Sequence, residues 1–89
     1  MNKIDPSQRS NWVTVNQMHA GQSGRVVQVS GGRGMTTRLQ ALGIMPGKIV
    51  TKVSSVFMRG PVVIVVDRVQ VAIGFGMASR IIVALDLKK

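Results

Sequence analysis

The apolar residues of this chain fall into short alternating runs, interrupted once by a helical repeat. The interruption is residues 31–47, GGRGMTTRLQALGIMPG. Met35, Leu39 and Leu42 stand at i, i+4 and i+7, so they share one face of a helix, and the spacing assigns Leu39 and Leu42 to the core. Thr36, Thr37, Arg38 and Gln40 fall on the other sides. The glycine-rich stretch Gly31-Gly32-Arg33-Gly34 turns the chain into the helix. Gly43 follows the last periodic residue, where a helix turns left-handed and stops, and Ile44 is placed to pack back on the helix end. Pro46-Gly47 reads as a type II turn. A helix of about nine residues is too short to hold itself in water, so a sheet must pin it.

The rest reads as strand. Residues 24–30 alternate, with Val27 and Val29 on one face and Val26 and Gln28 on the other. Residues 48–56 form a second strand whose mixed alternation leaves the inward face undecided, and residues 57–60 turn the chain. Gly60-Pro61 opens a third strand that is apolar on both faces: Val62, Ile64 and Val66 point inward, leaving Val63 and Val65 outward, a pair suited to self-association. Arg68 is a poor second residue for a two-residue hairpin, so the turn at Asp67-Arg68 is expected to be wider. Val69, Val71 and Ile73 share a face of a fourth strand. A turn or one-turn helix at 74–80 and a final strand at 81–85 complete the pattern. Residues 1–11 read as a loose arm and 86–89 as a tail. Trp12, Val13 and Val15 begin the fold, with Trp12 a core or edge anchor, and residues 16–19 make a single turn. The expected domain, 12–85, is mainly β. It is a small curled barrel of about five strands, with one short helix between the first and second and a helical turn before the last.

Charge adds an anionic partner to this picture: 12 Lys and Arg face three acidic residues in 89, a net +9. The cations Arg25, Arg33, Arg38, Lys48, Lys52, Arg59, Arg68 and Arg80 are spread out, none next to another, which also fits a solvated, self-repelling surface. A small nucleic-acid-binding barrel is the alternative reading, but Trp12, Phe57 and Phe75 are too few and too scattered for base stacking. The longest apolar run, 62–66, is far too short to cross a bilayer, and the N-terminus lacks the apolar core of a signal peptide. A soluble intracellular protein without direct membrane insertion is therefore expected.

Chemistry is sparse. With no cysteine, a thiolate or zinc-ribbon site is excluded. One histidine, His19, and three scattered aspartates do not make a two-histidine, one-carboxylate iron site, and Met18 beside His19 reads as a core residue beside a surface histidine. No paired carboxylates and no nucleophile elbow stand in the sequence, so neither catalytic residues, a metal site nor a cofactor is expected. The glycine-rich turn lacks the lysine of a phosphate-binding loop. The helix is the better candidate: with Leu39 and Leu42 inward, Arg33 and Arg38 edge a groove between helix and sheet, where a charged rim steers an acidic partner.

The order of motifs resembles the FeoA family, the small component of bacterial ferrous iron transport. The matching residues are Gly21 and Gly24 before Val27 and Val29, Gly31-Gly32, Arg38-Leu39, Leu42-Gly43-Ile44, Pro46-Gly47, Gly60-Pro61, and Ala78 with Ile81 and Val83. The resemblance spans about residues 13–84 and implies an SH3-like barrel. It also implies an accessory role beside FeoB, a membrane transporter with a cytoplasmic GTPase domain. That places the chain in the cytoplasm, at the membrane through its partner. Arg33, Arg38, Leu39, Gly60 and Pro61 are the candidate partner-binding residues, Val63 and Val65 the candidate homo-oligomer contacts, and Gly31, Gly32, Gly43, Pro46 and Gly47 the structural turns. Two positions depart from the family pattern: Asp67, where many members have glycine, and Gly74-Phe75-Gly76, where many are charged.

Overall fold

The chain runs through β1 (Trp12–Thr14), a 3-10 turn (Val15–Gln17), β2 (Ser23–Val29), α1 (Arg33–Ala41), β3 (Ile49–Ser54), β4 (Val62–Val66), β5 (Val69–Ile73), α2 (Phe75–Ala78) and β6 (Ile81–Leu85) in a computed structural model describing residues 11–54 and 60–86. The expected arm before Asn11, most of the turn at 57–60 and the tail after Asp86 lie outside those residues. The strands form one antiparallel sheet in the order β1-β6-β2-β3-β4-β5. β1 is the strand beyond the five expected. It is three residues long and pairs Trp12 with Ala84 at the sheet edge, where Trp12 is half-buried.

A bulge sets which side chains of β2 face the core. The β2–β6 register shifts between Val26 and Gln28, so Val26 is buried, Gln28 is exposed, and Val29 packs against the core. The expected pairing of Val26 with Gln28 on one face fails because an extra residue reverses the alternation. β3 resolves its ambiguity through Val50 and Lys52 inward, with Ile49 and Val53 exposed. In β4 the division is as the alternation indicates: Val62, Ile64 and Val66 are buried, and Val63 and Val65 are half-buried on the outer face.

α1 ends in a Schellman cap. The Gly43 N–H donates to Gln40 O at 2.9 Å and the Ile44 N–H to Leu39 O at 2.9 Å, with Gly43 at φ +88. Leu39 and Ile44 are both fully buried, which supplies the apolar contact of that motif. Leu42 differs from its expected place: it is the C-cap residue at φ −89, ψ 1, the helix has already ended at Ala41, and the side chain is 39% exposed. Ile44 takes the core position instead. At Met45–Lys48 the Lys48 N–H donates to Met45 O at 3.1 Å around Gly47 at φ +98, the glycine-requiring geometry of a type II turn.

The β4–β5 connection is a true two-residue hairpin, tighter than expected. Val66 pairs directly with Val69, and Asp67 and Arg68 sit at φ 52 and 68. That is a type I′ turn, whose twist matches the strands, and the five-pair β4–β5 ladder holds two non-glycine residues in the left-handed region.

A buried cation joins the sheet to the 3-10 turn. Lys52 is 3% exposed, and its Nζ donates to Met18 O at 2.7 Å, Asn16 O at 3.3 Å and Val15 O at 3.4 Å. Its backbone continues the tie: Gly21 N–H donates to Lys52 O at 2.8 Å, and Lys52 N–H to Gln22 O at 2.9 Å. Reading Lys52 as one of the surface cations is thus corrected. Val15 and Met18, buried on the same turn, carry their carbonyls inward, and the ammonium satisfies them. Burial pulls the Lys52 ammonium below its ordinary pKa.

Four stability outcomes follow from these contacts. Lys52→Ala strands the turn carbonyls and opens a void, so denaturant unfolding should show a loss of about 2–4 kcal/mol, with Lys52→Met losing less. Because the folded pKa is lowered, the unfolded state binds more protons at alkaline pH. Wild type should therefore gain stability relative to Lys52→Met as pH rises toward about 10.4, the unfolded lysine value. Leu39→Ala should cost about 2–5 kcal/mol and Leu42→Ala under about 1 kcal/mol in the same assay. Arg68→Gly should raise stability by about 0.5–1 kcal/mol, seen as a higher melting temperature.

Candidate functional site

The cap that ends α1 also builds a groove. Because the chain reverses at Gly43 and Ile44 returns under the helix, residues 44–46 lie beside the helix flank that carries Thr36 and Gln40. A cavity of about 250 Å³ opens there, lined by Val29, Thr36, Gln40, Ile44, Met45 and Pro46. Ile44 and Val29 give it an apolar floor that belongs to the core. Thr36 and Gln40, one helical turn apart, give it a polar wall. The Thr36 hydroxyl donates to Arg33 O at 3.0 Å and is spent within the helix. The Gln40 carboxamide makes no hydrogen bond to another described residue and is exposed. The groove can therefore take an apolar side chain and orient it through one amide.

The sequence placed Arg33 and Arg38 along such a groove. Both are exposed, but neither lines it. Arg33 stands at i with Thr36 at i+3 and Gln40 at i+7, so it extends the same helix stripe toward the N-terminus. Arg38 lies on the opposite flank, beyond the buried Met35–Leu39 stripe. Leu39 has no exposure at all, so its role is to anchor α1 and not to touch a partner. The groove wall, Thr36 and Gln40, is hidden in the sequence because polar helix positions read as solvated, and only the capping glycine signals that chain returns beside them.

Gly60 and Pro61 lie elsewhere. Pro61 is exposed at the start of β4, whereas the Asp67-Arg68 turn beside Gly43 is at its other end, about 17 Å away along five residues. Of the turn residues, Gly31 sits at φ +117 and Gly32 is the extended N-cap of α1 at φ −75. A surface ion pair, Lys48 Nζ to Asp67 Oδ2 at 2.9 Å, ties the end of the groove loop to the hairpin turn.

Among the described residues no group of three or more His, Cys, Asp or Glu stands together. Met18 is buried and His19 exposed, so the two point apart. No helix among the described residues is long and apolar enough to cross a membrane.

Comparison with known proteins gives this geometry its relatives. The family model of the FeoA domain matches residues 13–85. No curated protein matches the chain. Among solved structures, an iron uptake regulatory protein (FeoA) is similar at 35% identity, covering 84% of this chain and 99% of its own, with a TM-score of 0.80. The FeoA of Stenotrophomonas maltophilia, solved in complex with zinc and described as a prokaryotic SH3 domain protein, is similar at 21% identity, with coverages of 83% and 95% and a TM-score of 0.71. A manganese-dependent transcriptional repressor shares the fold at 18% identity and a TM-score of 0.78, over 84% of this chain and 42% of that one. The six-stranded sheet with its two short helices is thus an SH3-like fold.

Proposed function

Because the chain belongs to the FeoA domain family, associated with ferrous iron transport, we propose that it is a non-catalytic accessory module docking on the cytoplasmic GTPase domain of a FeoB-like transporter. The observation that carries this reading is the groove beside α1, with an apolar floor and a free carboxamide, and with Arg33 exposed further along the same helix stripe. An apolar anchor entering the groove supplies affinity, and the net charge of +9 draws an acidic partner face toward it. The Stenotrophomonas maltophilia relative has been put forward as a ferrous iron transport activating factor, which supports an accessory role of the same kind. In this reading the ferrous ion is the transporter's cargo, and the module works in the cytoplasm, reaching the membrane through its partner. Gly60 and Pro61 provide a second, separate contact at the far end of β4.

The test is calorimetric titration of the purified chain into that GTPase domain. Micromolar binding that weakens with added salt is expected. Thr36→Trp, which fills the groove, and Arg33→Glu, which reverses its rim charge, should each weaken binding about tenfold, or about 1.4 kcal/mol. Pro61→Glu should do so independently if the second contact is used. Absence of binding at micromolar concentration would overturn the docking, and full binding by Thr36→Trp would move it off the groove.

A further inference from the structure

We infer that β5 is a self-pairing edge, through which two copies of this chain join antiparallel with Val71 on the two-fold axis. Among the described residues β5 ends the sheet order and pairs with β4 alone. In a two-residue type I′ hairpin the residues flanking the turn form a hydrogen-bonded pair. Val66–Val69, Ile64–Val71 and Val62–Ile73 are therefore the bonded pairs, and the N–H and C=O groups of Gln70 and Ala72 point away from β4. Both residues are exposed, and no described residue takes those four backbone groups. What fits a row of open donors and acceptors at strand spacing is another strand.

The composition of β5 selects the occupant. Edge strands are ordinarily blunted by charge, proline or a bulge, and Val69–Ile73 contains none of these. An acidic segment would find no charge to pair with along these five residues. A second β5 matches them: Gln70 falls opposite the second copy's Ala72, giving four backbone hydrogen bonds, and Val71 falls opposite Val71. Val69, 57% exposed, falls opposite the second copy's Ile73 and is covered on its strand-facing side. The net charge of +9 does not oppose this register. Each Arg68 lands opposite the second copy's Gly74, and the two Arg68 backbones are about 20 Å apart, well beyond the Debye length of about 8 Å. On the outer face the register also brings the Val63–Ala72 row against the Val65–Gln70 row of the second copy.

Sedimentation of the full chain tests this. A concentration-dependent dimer is expected. Gln70→Pro removes an N–H that faces away from β4, so it should give a monomer with an unchanged circular dichroism spectrum. Ala72→Lys, which places a charge on the edge, should do the same and guards against a folding defect in the proline variant. The chain has no cysteine. Non-hydrogen-bonded antiparallel neighbours lie about 4.5 Å apart at Cα, within disulfide reach. Val71→Cys should therefore form a covalent dimer on mild oxidation, and Val53→Cys, exposed on β3, should not. A strictly monomeric wild type, or a dimer that survives both edge variants and is not linked through Val71→Cys, would overturn the inference.

Discussion

The ammonium of Lys52 is the constraint on which the arrangement of this small sheet depends. β1 and β2 run parallel on opposite sides of β6, so the chain must cross from one side to the other between them, and it does so by sinking Val15 and Met18 into the core. That burial takes the Val15 and Met18 carbonyls out of water and half-buries that of Asn16. Val15 O also accepts from the Met18 N–H at 3.1 Å, whereas the buried Met18 O, left unmet, would cost on the order of 1–3 kcal/mol. A single side chain from β3 meets all three. The same residue's backbone holds Gly21 and Gln22, so the whole 15–22 segment is fastened to one strand. β1 then runs from the fastened turn to the far edge of the sheet and pairs with β6. A cation that is expensive to bury is kept because three carbonyl oxygens accept from it, while its desolvation lowers its pKa.

The groove has a different origin, in the geometry of a helix end. A Schellman cap reverses the chain sharply, and the apolar residue after the glycine must return to the helix it has just left. Ile44 does so against Leu39, and the following residues, Met45 and Pro46, are carried beside Thr36 and Gln40. The cavity is therefore a consequence of stopping α1 at Ala41.

What could be read along the chain was whatever is decided locally. Gly43, Ile44 and the Pro46-Gly47 turn could be read because a cap and a type II turn are specified by residues next to one another. The inward face of β4 could be read because one phase is completely apolar. Faces were misread where partner strands decide: the β2 bulge depends on β6, and nothing in residues 24–30 announces it. The Asp67-Arg68 turn was misread for the same reason, since the five-pair ladder imposes a conformation that Arg68 does not prefer. Lys52 was hidden by its type. The one trace it leaves is that it shares a phase with Val50. Leu42 keeps the helical phase of Met35 and Leu39 but sits one residue past the point where the helix stops.

The groove and the β5 edge are separate surfaces, yet one fastening serves both. Lys48 follows the groove loop directly and is paired to Asp67 at the head of the β4–β5 hairpin. Gly43 abuts the same place: a Cβ there would stand 3.7 Å from Asp67 Oδ2 and 3.9 Å from Val66. The exposed ion pair contributes under about 1 kcal/mol by itself. Its weight is geometric, because the loop that walls the groove rests on a turn whose two residues are held left-handed by strand pairing. Anything that stiffens the hairpin, a second strand along β5 included, therefore firms the support on which the groove loop lies. The two surfaces do not compete for residues, since one is built from α1 and the loop after it and the other from the free backbone of Gln70 and Ala72. A sheet of this size can present both because the groove borrows only its floor from the core and the β5 edge uses only backbone groups that β4 leaves open.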